Sequence, residues 1–173
     1  MDGARLWNAM IAKKQHPKQF GALFDTISVC FSKGLGCPVG SVLVSDAQTI
    51  HRALRIRKIF GGNMRQSGYL AAAGIYALHN NINRLEEDHK RAKELGKVLS
   101  GLSWVKTVEP VETNIVIFSV NDGIDDKLVI EKLKQKRIGI SLMAKNTLRM
   151  VTHLDYKQVM HEYVIDALEK IKF

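Results

Sequence analysis

The chain has 173 residues, 46% of them hydrophobic and 25% charged, enough to bury a sizeable core and too apolar for a disordered tail. No apolar run approaches the ~20 residues needed to cross a bilayer, and the opening MDGARLWNAM lacks the basic-then-apolar layout of a signal peptide, so a cytoplasmic protein with no membrane partner is expected. The net charge of +9, from 26 Lys and Arg against 17 Asp and Glu, suggests an anionic partner.

The distribution of that charge argues against nucleic acid. The clusters HRALRIRK (51–58), HKRAK (89–93) and KLKQKR (132–137) lie on separate helical stretches with few aromatics between them, and no nucleic-acid-binding motif accompanies them. The last two read as solvated helix faces. The first precedes the glycine pair of GGNMR and is a candidate for a small anionic ligand or a subunit contact. Cys30 and Cys37 have neither redox nor zinc-site spacing and read as packing residues of a reducing compartment; no metal site is expected.

In chain order, ISVCF (27–31) and GSVLVS (40–45) are short, β-branched and apolar, and read as strands. Asp46 reads as the N-cap of a helix that runs toward Phe60, where Gly61 and Gly62 stop it. From Ser67, SGYLAAAGIYALHNNI carries small and apolar residues on nearly every face and reads as a buried helix. From Asn83, NRLEEDHKRAKELGKVLSGL places Leu at helical spacing among charges and reads as a long amphipathic helix ending at Gly101, the expected domain boundary. A strand at TNIVIFSV (113–120), a turn at NDG, a helix from Asp126 to Arg137, strands within IGISLMA and TLRMVTH, and a closing helix from Tyr156 follow. Residues 102–173 thus form a small α/β unit, and residues 1–101 look like part of a larger one.

The chemistry concentrates at CFSKGLGCPVGS (30–41). A lysine at a strand-to-loop junction, hemmed by apolar residues and glycines, sits where desolvation can free its amine as a nucleophile for Schiff-base chemistry. An exposed lysine beside a glycine turn fits the same letters. The nucleotide loop GxxxxGK[ST] is excluded, because here the glycines follow the lysine.

Six segments in order, MDGARLWNA (1–9), SVCFSKGLGCPVGSVLVS (28–45), RKIFGGNMRQSGYLAAAGIYAL (57–78), NRLEEDHKRAKELG (83–96), ETNIVIFSV (112–120) and TLRMVTHLD (147–155), resemble the pyridoxal-phosphate-dependent threonine aldolases. These belong to the β-eliminating lyases and share the aspartate-aminotransferase fold. The resemblance implies part of the large domain of a fold type I enzyme over 1–101 and the small C-terminal α/β domain over 102–173. It further implies pyridoxal 5'-phosphate as cofactor, held as an aldimine by Lys33, and retro-aldol cleavage of a β-hydroxy-α-amino acid such as threonine to glycine and an aldehyde. Asp2 would keep the pyridine nitrogen protonated, and Arg5 would lie next to the ring. Arg149 would bind the substrate α-carboxylate, a bidentate task suited to guanidinium. Lys58 and Arg65 would point toward phosphate or substrate, Arg65 being counted with the cofactor and Lys58 with the substrate. A homo-oligomer, dimeric or tetrameric in its full-length form, is implied as well.

Each residue has a plainer reading. Asp2 could cap the following helix or pair with Arg5, and Arg149 could be a rim charge whose stem covers apolar surface. Arg65 could be an ordinary helix-start cation, although a positive charge is slightly unfavourable there. His153, four residues after Arg149, reads as sharing its strand face, and Met143, Met150 and Met160 as core filler. Family members extend well beyond this chain at the N-terminus, so the phosphate-cradling loop, the ring that stacks on the pyridine and the usual histidine base are expected to be missing. That makes a catalytically incomplete fragment, or a remnant serving at most as an interaction module, the alternative to an active lyase.

Overall fold

In the computed structural model, which describes residues 1–173, β1 (Asp2–Gly3) runs parallel to β2 (Thr26–Cys30), with Asp2 opposite Ser28 and Gly3 opposite Val29. Glycine is required at that crossing: a Cβ on Gly3 would stand 2.7 Å from the Ser28 carbonyl oxygen, inside van der Waals contact. The strands are joined through α1 (Leu6–Lys13) and α2 (Pro17–Gly21). His16 starts α2, its Nδ1 accepting the Lys18 N–H while its own N–H donates to Gln19 Oε1 at 2.7 Å, a reciprocal cap ahead of a proline.

β3 (Ser41–Ser45) pairs antiparallel with β2, giving the sheet order β1-β2-β3. Asp46 then caps α3 (Ala47–Ile59), its Oδ1 accepting the Thr49 N–H at 2.8 Å and its Oδ2 the Thr49 hydroxyl at 2.9 Å. These bonds hold its carboxyl below the usual carboxylate range. Gly61, at φ +75°, follows the C-terminus of α3 in the left-handed conformation that terminates helices.

α4 (Gly68–Asn80) departs from expectation. Ala77 is buried in it, whereas Tyr69 is 83% and Tyr76 65% exposed. Apolar letters on every face mark a helix made to be covered on several sides; here one stripe, through Ala77 and Leu78, meets the small core of Phe31, Leu35 and Cys37. Val42, Leu43 and Val44 of β3 are likewise exposed, so both faces of this strand carry apolar side chains.

The chain parts into two compact units, Met1–Leu85 and Glu86–Phe173. The sequence draws its boundary at Gly101, after α5 (Leu85–Ser100); the structure groups nearly all of that helix with the second unit. The physical reason is the apolar stripe of α5: Ala92, Leu95 and Leu99 are buried in the core of the second unit.

That unit adds β4 (Val105–Val108), β5 (Ile115–Val120), α6 (Asp126–Gln135), β6 (Ser141–Ala144), β7 (Thr147–Val151) and α7 (Gln158–Lys170). Its sheet is antiparallel throughout, in the order β4-β5-β7-β6. Val116, Phe118 and Val120 alternate inward along β5 and meet Leu95 and Leu99 of α5, Leu133 of α6 and Leu168 of α7. Each such side chain contributes about 1.5–3 kcal/mol by leaving water. The edge strand β4 was not anticipated, because Lys106 and Thr107 interrupt its four-residue apolar signal.

Candidate functional site

Parallel pairing of β1 with β2 sends both strands out at the same end of the first sheet. Asp2 is the first residue of β1, Arg5 follows that strand's carboxyl end, and β2 leads through Phe31 and Ser32 to Lys33. The crevice beyond the carboxyl ends of parallel strands is where open α/β sheets bind ligands.

The Lys33 loop is a built turn. The Gly36 N–H donates to the Lys33 carbonyl at 2.9 Å, the Phe31 N–H to the Gly40 carbonyl at 3.0 Å, and the Cys37 N–H to the Phe31 carbonyl at 3.1 Å. Gly36 and Gly40 take φ values of +73° and +112°, conformations that favour glycine. Two asparagines that sequence reasoning passed over secure the loop from outside. Asn81 Nδ2 donates to the Leu35 carbonyl at 2.8 Å, and buried Asn8 packs so closely that a Cβ on Gly34 would stand 2.9 Å from its Nδ2. The available signal was Asn8 itself, a poor helix former inside the first turn of α1 among apolar neighbours.

Lys33 differs from expectation in its surroundings: Leu35 and Cys37 are buried, but Lys33 is exposed. The loop turns its apolar residues into the core and its amine outward, and the desolvation expected from the neighbouring letters is not present in this structure. Asp2 is exposed too, its Oδ1 accepting the Ala4 N–H at 3.0 Å in a local turn. Arg5 is exposed at the N-cap position of α1.

Lys58 lies in the last turn of α3 and Arg65 in the turn before α4, both exposed. Between them Gly62 folds back on α3, where a Cβ would stand 2.9 Å from Arg57 Cγ. The chain has no Asp or Glu between Asp46 and Glu86, so this whole stretch presents a positive potential suited to anionic ligands.

Arg149 belongs to the second unit. It sits on β7 opposite Ile117 of β5 and Ser141 of β6, and its Nε donates to Ser141 Oγ at 3.2 Å. His153 does not share its strand. β7 ends at Val151, and His153 lies in the following turn with Nδ1 accepting the Asp155 N–H at 3.2 Å. Of the three methionines read as core filler, Met150 is buried, while Met143 and Met160 are exposed.

The donor set of the first unit fits an aldehyde cofactor with a basic ring nitrogen and an anionic tail. It offers an accessible primary amine, an accessible carboxylate on the neighbouring strand, and cations with no nearby acid in sequence.

A family model described as β-eliminating lyase matches residues 1–122. The low specificity L-threonine aldolase of Escherichia coli K12 is 43% identical over 155 residues, covering 90% of this chain and 45% of that protein. The probable low-specificity L-threonine aldolase 2 of Arabidopsis thaliana is 38% identical over 176 residues, covering 99% of this chain and 49% of that protein. The chain therefore spans about half the length of these curated relatives. Among solved structures, a putative L-allo-threonine aldolase from Listeria monocytogenes superposes with a TM-score of 0.75 at 22% identity, over 98% of this chain and 50% of that one. A putative aromatic amino acid β-eliminating lyase/threonine aldolase from Exiguobacterium gives 0.78 at 20% identity, over 98% and 51%. These superpositions establish the fold as the α/β architecture of the fold type I pyridoxal-phosphate enzymes. With the family model spanning well over half of its residues, the chain belongs to the β-eliminating lyase family.

Proposed function

We propose that this chain is the lysine-bearing half of a pyridoxal-phosphate-dependent aldehyde-lyase that cleaves β-hydroxy-α-amino acids, such as threonine, to glycine and an aldehyde. The observation that carries this reading is the parallel β1–β2 pair, which sets the Asp2 carboxylate on β1 opposite Ser28 while the Lys33 loop leaves the carboxyl end of the adjoining β2. The names of the relatives supply the substrate class.

Lys33 would hold the cofactor aldehyde covalently through its amine, and Asp2 would keep a proton on the pyridine nitrogen. When bound, the cofactor supplies an electron sink for the carbanion left by carbon–carbon cleavage. Arg5 would flank the ring, and Arg65 would meet the phosphate. Arg149 would take the substrate α-carboxylate, with Ser141 fixing the plane of its fork, and Lys58 would add a second cation on the substrate side. Orientation by the carboxylate selects which bond at Cα breaks. In this reading residues 1–101 are the C-terminal part of the large domain and residues 102–173 the small domain, with α5 closing the large domain in sequence while its apolar stripe packs into the core of the second unit. The enzyme works as a homo-oligomer in the cytoplasm, in keeping with two free thiols.

A chimera tests this reading. The portion of the E. coli relative that this chain does not span is joined to it, and aldehyde release from threonine is measured. Activity that Lys33→Ala abolishes is expected; cofactor-loaded, folded protein whose cleavage is unchanged by that substitution would refute it.

A further inference from the structure

The second unit contains a cavity of about 360 Å³ that the proposed lyase chemistry does not use. It lies at the end of the helical layer, walled by α5, α7, the loop after α6 and the turn after β7. Its floor includes Leu95, Met150 and Val164, and its rim carries Arg137, His153 and Tyr163. Met150 and Arg149 are neighbours on β7, so their side chains leave opposite faces of the sheet; the cavity and the proposed carboxylate clamp at Arg149 are separate places.

Arg137 is the informative residue. It follows α6 in the left-handed conformation, φ +59°, with its N–H donating to the Lys134 carbonyl at 2.8 Å and the Ile138 N–H donating to the Leu133 carbonyl at 2.9 Å. Glycine ordinarily fills this helix-ending position, because any Cβ is strained there. Lys14 ends α1 in the same conformation; what sets Arg137 apart is that it also lines the cavity.

The other rim groups define that use. His153 Nδ1 accepts the Asp155 N–H, which leaves Nε2 as the proton-bearing donor. Tyr163 is committed to the Lys136 carbonyl at 3.0 Å and contributes ring surface. Tyr156, also in the wall, is pushed up to about 12 by burial and remains a neutral phenol. An Asp155 carboxylate oxygen lies 3.8 Å from His153 Nδ1. One guanidinium, one imidazole donor and an apolar floor suit a single negative charge on an apolar body, and the volume lies within the range of small-ligand sites.

We infer that this cavity is a second binding site, for a small monocarboxylate with an aliphatic or aromatic side chain, its carboxylate on Arg137 and His153 and its apolar body against Met150 and Val164.

The probe is 3-phenylpropanoate, titrated into the chain by calorimetry, with 3-phenylpropanamide as its uncharged counterpart. The carboxylate is expected to bind at least about tenfold more tightly than the amide, since a charge-assisted bond to guanidinium is lost in the latter. Arg137→Gly removes the guanidinium while relieving the backbone, so it should weaken binding about tenfold without lowering the melting temperature. Arg149→Gln should leave the affinity unchanged, which separates this site from the proposed substrate clamp. No saturation at millimolar carboxylate, equal affinity for acid and amide, binding indifferent to Arg137→Gly, or loss on Arg149→Gln would each overturn the assignment.

Discussion

His161 on α7 joins Glu94 on α5 through a hydrogen bond of 2.8 Å between Nε2 and Oε2, and its Nδ1 lies 3.1 Å from the Tyr156 hydroxyl. With the phenol held protonated by burial, the consistent arrangement has Tyr156 donating to Nδ1 and Nε2–H donating to Glu94. The imidazole is 1% exposed, so both nitrogens are satisfied without water. His161→Ala opens a cavity and leaves the phenol without its partner, and should destabilise the chain by about 2–4 kcal/mol. Glu94→Gln keeps an acceptor on an accessible side chain and should cost less than about 1 kcal/mol. Urea midpoints at unchanged slope measure both; equal losses would show that the carboxylate, rather than the buried ring, dominates.

Gly96 sits inside α5, where alanine would ordinarily gain about 1 kcal/mol of helix propensity. The structure reverses the sign. A Cβ at Gly96 would stand 2.7 Å from Val111 Cγ2, and overpacking of this kind costs about 1–3 kcal/mol. Gly96→Ala should therefore destabilise, and adding Val111→Ala should return part or all of the loss. A stabilising single substitution would show that Val111 moves aside freely.

His89 on α5 is buried, and burial holds its imidazole below the ordinary value of 6.5. The charge of Asp88 opposes this shift, and that of Lys93 adds to it. In the unfolded chain the same ring takes its proton first, near pH 6.5. Stability carried by neutral His89 is therefore intact above that pH and declines as the pH falls through it toward the lower folded value. Between about pH 7.5 and 5.5 the urea midpoint should drop, and His89→Gln should flatten the drop. A slope unchanged by the substitution would place the proton uptake elsewhere.

The elements were legible where local chemistry decides them. Asp46 with Thr49 three residues on, the glycines at 61 and 62, and Leu95 and Leu99 at helical spacing each specify a local structure that the fold uses unchanged. Quantities that depend on partners far along the chain were not legible. The letters of α4 say that it can be buried on several sides, but only the stripe through Ala77 finds cover here. The stretch around Lys33 shows a glycine loop and an amine, but not that Leu35 and Cys37 turn inward and Lys33 outward. His153 looked like strand because residues 147–151 alternate; the break came two residues earlier, at a turn without glycine or proline. The site suffered most, since Asn8 and Asn81 act only through a loop folded against them.

Reductive trapping of the cofactor tests the central claim most directly. The chain is incubated with pyridoxal phosphate, reduced with borohydride, digested, and its modified lysines are mapped by mass spectrometry. With the 16 other lysines, such as Lys58, free to react only adventitiously, specific label should concentrate on Lys33 and disappear with Lys33→Ala, while Asp2→Asn should leave attachment possible but lower its extent. Label spread evenly over exposed lysines, or undiminished after Lys33→Ala, would contradict the assignment of Lys33 as the anchor.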